Sequence, residues 1–389
     1  MREWRSMSHY FDHAATTVMR PAAIQAWVDH AQQWGNPSSI HGAGRQARKV
    51  VEDSRDTIAD LLGVDPFDLV FTSGGTEADN LAVLGVARAR KAADPARTVI
   101  LISPTEHHAV LDPALSLVEE GFTILEGPVD ADGLVDLDAW AALIGEHRRR
   151  LALVACMWVN NEVGTIQPVA ALADLCAAES IPFHCDAVQA HLVWEDPPSS
   201  TTLALSAHKF GGPMGIGALV VPRTLSVSPT SFGGGQERKL RSGTVPVPLI
   251  ASFAQAMVAA RQDRDRDLAR LTEVSRRVES VLTSAGAQIV GQGAPRTPAI
   301  TYALFPGCAN QDLIVLLDAA EVHVSTGSAC AAGIPQPSHV LCALGSSDAE
   351  ARTGLRFSLG WTTTQEDVDA LASVLPAAVD RLRGTSWRA

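Results

Sequence analysis

Short apolar runs alternate with longer segments of mixed polarity through the first two thirds of the chain. Runs rich in Val, Ile, Leu and Phe predict buried strands at Asp68–Thr72, Thr98–Ser103, Leu151–Met157 and Ile181–Cys185. Between them, apolar residues recur at helical spacing, as in Arg45–Leu62 and Val169–Glu179. Strands that alternate with helices predict βαβ units, and therefore an α/β fold with a mostly parallel sheet covered on both faces.

The pattern changes after one long helical segment. Val247–Leu282 predicts a helix that leads to a second domain, and its charged part, residues 261–267, is expected to face solvent. The last hundred residues have an α+β pattern, with strands predicted at Ala299–Leu304 and Leu355–Leu359 and helices at Gln311–Ala320 and Thr364–Arg381. We predict a large domain over residues 16–260 and a small domain formed by residues 1–15 and 261–389.

Composition narrows the class of function. The chain of 389 residues has a formal net charge of −12, which disfavours direct binding to nucleic acid or to an anionic membrane. It has no apolar run of about 20 residues that could span a bilayer, and its N-terminus lacks the apolar core of a signal peptide. Six cysteines without a C-x-x-C pair argue against a metal site and a disulfide framework, so we predict a reducing, cytoplasmic setting.

One lysine stands directly before a glycine-rich segment. Lys209 ends the sequence SAHK, and residues 210–217 read FGGPMGIG. The backbone there can bend closely around a bound group, and a lysine so placed can form a Schiff base with an aldehyde cofactor. A surface lysine before a turn is the alternative, and Lys209 alone does not decide between them.

An aspartate stands at the end of a predicted strand. Asp186 ends the sequence PFHCD, and the carboxyl end of a parallel strand faces the ligand crevice of an open sheet. A carboxylate there can hold a pyridinium nitrogen in its protonated form. The alternative is that Asp186 caps the following helix.

The segment Thr72–Glu77, with the sequence TSGGTE, connects a strand to a helix. Backbone N–H groups and small hydroxyl residues at a helix N-terminus bind anions such as phosphate. The segment has no lysine of the kind found in nucleotide-binding P-loops, so a nucleotide is a poor fit.

One cysteine is surrounded by small residues. Cys330 stands in the sequence STGSACAAG, whereas buried cysteines usually stand among large apolar residues. An exposed thiol in such a loop can act as a nucleophile, although an ordinary loop cysteine remains the alternative.

An arginine interrupts an otherwise apolar strand. Arg356 lies in the sequence LRFSLG, and a charge in such a strand needs a carboxylate or a similar partner. The carboxylate of a bound substrate and an internal salt bridge are equally consistent with this position.

Taken in order, these motifs resemble the cysteine desulfurase family (NifS/IscS-like), a class-V branch of the fold-type-I enzymes that use pyridoxal 5'-phosphate (PLP). The resemblance extends from about residue 9 to residue 382, and the matching stretches include DHAATT (12–17), GNPSS (35–39), TEHHAV (105–110), VNNEVG (159–164) and GGGQERKLRSGT (233–244). It implies a large domain with a mostly parallel seven-stranded sheet and a small α+β domain that carries the Cys330 loop.

The resemblance also implies roles for single residues. Lys209 would hold PLP as a Schiff base and take the α-proton of the substrate, Cys330 would be the nucleophile, and His107 would stack on the cofactor ring and carry a proton. The other cofactor contacts implied are Gly75, Thr76, Ser206 and His208 at the phosphate, Asp186 at the pyridine nitrogen, Gln189 at the phenolic oxygen, and Thr244 at the phosphate of the other subunit of a homodimer. Asn161 and Arg356, together with Asn36, would bind the substrate.

The implied reaction converts L-cysteine to L-alanine and leaves the sulfur as a persulfide on Cys330. An acceptor protein would then take the sulfur for iron–sulfur cluster assembly, for tRNA thiolation or for another pathway. A selenocysteine lyase, or another PLP-dependent lyase or aminotransferase, is the alternative. A thiol enzyme without PLP and a binding scaffold leave Lys209 and Asp186 unexplained.

Overall fold

The computed structural model of the chain describes residues 8–193, 201–327 and 337–385. Within these ranges the strands are β1 (His9–Tyr10), β2 (Leu69–Thr72), β3 (Val99–Ile102), β4 (Thr123–Glu126), β5 (Leu151–Ala155), β6 (Phe183–Asp186), β7 (Thr201–Ser206), β8 (Gly217–Val220), β9 (Gln288–Ile289), β10 (Ile300–Leu304), β11 (Val322–His323) and β12 (Gly354–Ser358). The helices are α1 (Pro21–Ala31), α2 (Gly42–Leu62), α3 (Gly75–Ala93), α4 (His108–Ser116), α5 (Leu137–His147), α6 (Val169–Ala178), α7 (Val247–Ser284), α8 (Asn310–Asp318), α9 (His339–Ala343), α10 (Asp348–Ala351) and α11 (Gln365–Thr385). None of the helices in the described ranges is long and apolar enough to cross a membrane.

Seven strands form the central sheet, in the order β2-β8-β7-β6-β5-β3-β4. All run in the same direction except β8, which is antiparallel to both of its neighbours. Only residues 207–216 connect β7 to β8, and a connection this short favours antiparallel neighbours because a parallel pair needs a crossover of a dozen or more residues. The predicted α/β class with a mostly parallel seven-stranded sheet is therefore confirmed.

The four apolar runs of the first part each overlap a strand of this sheet, and the run Ile181–Cys185 stops one residue before the end of β6 at Asp186. The prediction Leu151–Met157 is two residues too long, because Cys156 and Met157 stay buried in the loop after β5 ends at Ala155. Strand β4 is missed because its first and last residues are polar and exposed, so no apolar run results.

A smaller antiparallel sheet has the order β12-β10-β9, and β1 pairs with β11. Helix α7 packs Ile250 and Phe253 into the apolar cluster around the central sheet, and Leu271 and Val278 into a second cluster around β10 and β12. The boundary predicted at residue 260 between two domains stays a prediction.

The expectation that residues 261–267 face solvent is wrong for Asp267. Its side chain is buried and pairs with Arg20, at 3.3 Å between Nη2 and Oδ2. Arg20 also binds Asp263, so the charge of the buried guanidinium is balanced by two carboxylates.

Candidate active site

A cavity of about 370 Å³ opens at the carboxyl end of the central sheet. Asp186 is the last residue of β6, Ser206 is the last residue of β7, and Lys209 follows three residues later. Open parallel sheets bind ligands at this edge because the loops that leave the strands meet there. The volume lies within the range of roughly 300–1,000 Å³ that is typical of small-molecule sites.

The cavity brings together most of the residues predicted for the site. Those that line it are Gly75, Thr76, His107, Asn161, Asp186, Gln189, Ser206, His208, Lys209 and Arg356. Asn36 is not among the lining residues; it is exposed, and its side-chain oxygen accepts a hydrogen bond from the Ser38 N–H at 2.9 Å. Thr244 is also exposed and away from this cavity, while Cys330 lies outside the described residues. The roles of these three residues stay predictions.

The amine of Lys209 is held against the N-terminal segment of the chain. Nζ donates to the carbonyl oxygens of Ala14 at 2.7 Å and Ala15 at 3.1 Å. Burial, together with the nearby positive charge of Arg356, lowers the pKa of Lys209 to about 8. A substantial fraction of the amine is therefore neutral near neutral pH, which is the form that attacks an aldehyde.

Three buried carboxyl groups interact next to Lys209. Oδ1 of Asp186 accepts a hydrogen bond from the Val188 N–H at 2.9 Å. This contact closes a turn and caps no helix, because the next helical turn begins only at Ala190, so the alternative role of a helix cap is wrong. Asp186 also lines the cavity. Burial raises the pKa of Asp186 to about 6 and, with the negative charge of Asp186, raises the pKa of Glu106 to about 8. Burial and the nearby carboxyl groups of Asp186 and Glu106 raise the pKa of Asp79 well above its usual range. At pH 7 Asp186 is therefore mostly ionised, whereas Glu106 keeps its proton.

The sequence reasoning missed Asp79, although a signal was present. Asp79 follows Thr76 by three residues on α3, so both side chains lie on the face that borders the cavity. Its Oδ1 is 3.1 Å from Nε2 of His184, and Nδ1 of that ring is 3.0 Å from the hydroxyl of Thr202. Burial lowers the pKa of His184 to about 4, so the ring is neutral.

The end of the cavity at which α3 begins, called the anion end below, is suited to an anion. Helix α3 begins at this end, so its unpaired backbone N–H groups point towards it. In the described part of the chain, the hydroxyls of Thr76 and Ser206 have no hydrogen-bond partner. His208 contacts Thr16, with 3.2 Å between Nδ1 and Oγ1, and burial lowers its pKa to about 4.

Arg356 makes the internal salt bridge that was one of the two possibilities, while binding of a substrate carboxylate stays a prediction. It is buried in the middle of β12, where Nη2 donates to Asp12 Oδ1 at 2.7 Å and Nη1 donates to the Asn161 carbonyl at 2.8 Å. The guanidinium also lines the cavity, and its Nε is buried without a partner among the described residues. Arg356 thus makes an internal salt bridge and also places a positive charge at the cavity.

His107 is held as a neutral ring. It is the N-cap residue of α4, and its Nδ1 accepts a hydrogen bond from the Ala109 N–H at 3.1 Å. Burial and the positive charge of Lys209 lower the pKa of His107 to about 4. The proton of the neutral ring therefore sits on Nε2, because Nδ1 acts as an acceptor.

His339 and Glu162 also line the cavity, although neither was predicted as a site residue. Glu162 lies within the matching stretch VNNEVG (159–164), whereas His339 lies in none of the matching stretches. Nε2 of His339 is 2.9 Å from the carbonyl oxygen of Glu106. The hydroxyl of Ser338 donates to Glu162 Oε2 at 2.6 Å, and burial raises the pKa of Glu162. These contacts join segments that are distant in sequence, so local patterns could not predict them.

The cysteines of the described residues are poorly placed for chemistry. Cys156, Cys176 and Cys185 are buried, which confirms the core role predicted for them, and Cys308 is buried as well. Burial raises the pKa of Cys176 to about 12 and also raises that of Cys156 and Cys185, so these thiols stay protonated. Cys342 is exposed and does not line the cavity.

The chain is similar to known proteins over most of its length. Residues 9–371 match the family model described as aminotransferase class-V. The IscS-like cysteine desulfurase of Mycobacterium tuberculosis is 45% identical over 384 residues, which is 96% of this chain and 97% of that protein. A solved NifS-like protein has a TM-score of 0.88 at 32% identity, covering 96% of this chain and all of that one. The solved structure of SspA in complex with cysteine has a TM-score of 0.77 at 31% identity, covering 90% of this chain and 99% of that one.

Proposed function

Because this chain belongs to the aminotransferase class-V family and, within it, to the cysteine desulfurases, we propose that it takes sulfur from L-cysteine with the help of PLP. The family membership confirms the resemblance read from the motifs. The products are L-alanine and a persulfide on Cys330, which passes the sulfur to an acceptor protein. The observation that carries the proposal is the convergence of Lys209, Asp186 and Arg356 on one cavity.

The lining residues fit PLP. Lys209 offers a partly neutral amine for the aldehyde, and Asp186 offers a carboxylate that is mostly ionised at pH 7 for the pyridine nitrogen. The hydroxyls of Thr76 and Ser206, beside the start of α3, suit the phosphate. Gln189, which donates to the Ala14 carbonyl at 2.8 Å, suits the phenolic oxygen. When bound, PLP supplies an electron sink for bonds at the α-carbon of the substrate.

The protein's own side chains would bind and orient the substrate. Arg356 would take the α-carboxylate in its guanidinium fork, with Asn161 beside it, and Asp12 would keep the charge of the arginine balanced. The amine of Lys209 would take the α-proton, because its lowered pKa leaves it able to act as a base near neutral pH. The neutral ring of His107 would cover the cofactor. The homodimer with Thr244 at its interface, the cytoplasmic location and the identity of the acceptor stay predictions.

The test starts from the purified wild-type chain. We expect a visible absorption band from PLP bound to the protein, and we expect equal amounts of alanine and released or protein-bound sulfur after addition of L-cysteine. L-Selenocysteine is assayed in parallel, because a clear preference for it would favour a selenocysteine lyase. A protein that stays colourless after incubation with PLP would contradict the proposal.

The rate at which PLP becomes bound is expected to depend on pH in a defined way. With a pKa of about 8, the neutral fraction of the Lys209 amine rises steeply up to pH 8 and only slightly above it. The rate of PLP binding should therefore increase about tenfold from pH 6 to pH 7 and flatten above pH 8. With an unperturbed lysine, whose pKa is about 10.4, the rate would keep increasing up to pH 10. The change in absorbance after mixing cofactor-free protein with PLP measures the rate. A rate that keeps rising tenfold per unit up to pH 10 would show that the amine is not perturbed.

A further inference from the structure

One wall of the cavity is formed by side chains that the proposed reaction does not use. Gly327 lies against Glu162, since a Cβ on that glycine would be 3.3 Å from Glu162 Oε2. The same carboxyl oxygen accepts the hydrogen bond from Ser338, which is the N-cap residue of α9. The next residue, His339, lines the cavity from this wall. Cys330 follows Gly327 by three residues in the sequence but lies outside the described residues.

The hydrogen bond of His339 to the Glu106 carbonyl defines which of its ring nitrogens can accept another hydrogen bond. Its Nε2 lies 2.9 Å from the Glu106 carbonyl oxygen, which can only accept, so Nε2 carries the proton. In the neutral ring Nδ1 then has a free lone pair. Within the described part of the chain, this nitrogen has no hydrogen-bond partner.

The other histidines that line the cavity are less suited to accept a hydrogen bond from a substrate. Nδ1 of His107 is occupied by the Ala109 N–H, and His208 lies at the anion end beside Thr16. His108 packs its ring edgewise on His339, with 4.9 Å between the centroids, but its own side chain is 52% exposed and is paired with Asp112. Bulk water competes for a nitrogen that is so exposed, so His339 is the better placed acceptor.

We propose that Nδ1 of His339 accepts a hydrogen bond from the thiol of bound L-cysteine and thereby helps the site to distinguish the substrate from the product L-alanine. This inference rests on the proposed function. The contact orients the sulfur and moves no proton. L-Alanine has a methyl group in place of the CH₂–SH group, so it leaves the acceptor unused. A hydrogen bond between neutral groups predicts a discrimination of about 3- to 10-fold from this contact.

Two substitutions test the roles of the two ring nitrogens of His339 one at a time. His339→Gln can keep a donor near the position of Nε2 for the Glu106 carbonyl, but it has no acceptor at the position of Nδ1. His339→Asn places its side-chain oxygen near the position of Nδ1 and keeps the acceptor. His323→Gln is a matched control, because His323 is partly exposed in β11, pairs with Asp318 and does not line the cavity.

The dissociation constants of L-cysteine and L-alanine are measured from the change in visible absorbance, in a Cys330→Ala background so that sulfur is not transferred. We expect His339→Gln to weaken L-cysteine binding about 3- to 10-fold and to leave L-alanine binding unchanged. His339→Asn and His323→Gln should keep the ratio of the two dissociation constants that the Cys330→Ala protein shows. A dissociation constant does not depend on how much of a variant folds. The inference would be overturned if the ratio of the two dissociation constants were unchanged in His339→Gln. It would also be overturned if His339→Asn weakened L-cysteine binding as much as His339→Gln does. A parent protein without the visible band would instead contradict the proposed function.

Discussion

Lys209→Ala is expected to lose the covalent attachment of PLP and at least ~10⁴-fold of the rate of alanine formation. Lys209 is the single lysine among the described residues that line the cavity, so no other amine there can replace it. The variant also loses the base that takes the α-proton of the substrate. Borohydride reduction followed by peptide mass spectrometry should find the cofactor on Lys209 in the wild type and on no peptide in the variant. A coupled assay for alanine measures the rate.

Two controls separate the chemistry of the amine from its charge. Lys209→Arg keeps a positive charge beside Asp186 but has no nucleophilic amine, so we expect it to be as inactive as Lys209→Ala. Lys49→Ala removes an exposed lysine that pairs with Asp53 far from the cavity, and it should keep wild-type activity. Substantial activity in Lys209→Arg would mean that the lysine acts only through its charge.

Cys330→Ser is expected to keep the visible band and the binding of L-cysteine but to lose alanine formation by ~10³-fold or more, the range seen when a catalytic nucleophile is removed. A serine hydroxyl is a poor nucleophile towards sulfur, whereas a cysteine can act as a thiolate. The buried cysteines of the described residues cannot substitute, because burial keeps their thiols protonated. Trapping of the persulfide with an alkylating agent, followed by mass spectrometry, should label Cys330 in the wild type only.

Cys342→Ser is the matched control, since Cys342 is exposed and does not line the cavity. It should retain full activity and the label on Cys330. If Cys330→Ser formed alanine at the wild-type rate, the protein would be a PLP-dependent lyase that works without a cysteine nucleophile.

The fold was predictable where burial on both faces leaves a continuous apolar run in the sequence. Strands β3 and β5 are of this kind, and all of their residues are buried. Strand β4 was not predictable, because its residues Thr123 and Glu126 are polar and exposed and leave no continuous apolar run. The reversed direction of β8 depends on how a short loop folds back, which periodicity does not encode.

The site was predictable where a side chain lies at the end of a strand or within a few residues after it. Asp186 and Lys209 follow this rule, and parallel strands bring such positions to one edge of the sheet. Glu106, Asp79 and His339 were missed because their importance arises from contacts between distant segments. Glu106 and His339 stand at ordinary loop and helix positions, whereas the spacing of Asp79 from Thr76 on α3 was a signal that could have pointed to Asp79.

The first described residues of the chain complete the wall that holds Lys209, and this has a consequence for protein synthesis. The carbonyls of Ala14 and Ala15 bind the amine of Lys209, while β1 places this segment by pairing with β11 at Val322 and His323. The ribosome makes β1, at residues 9 and 10, long before its pairing partner at residues 322 and 323. A nascent chain that stops before β11 therefore contains every strand of the central sheet but lacks the pairing that fixes this wall. The cavity consequently reaches its final form only after β11 has been made, so capture of the cofactor in the correct geometry follows the synthesis of β11.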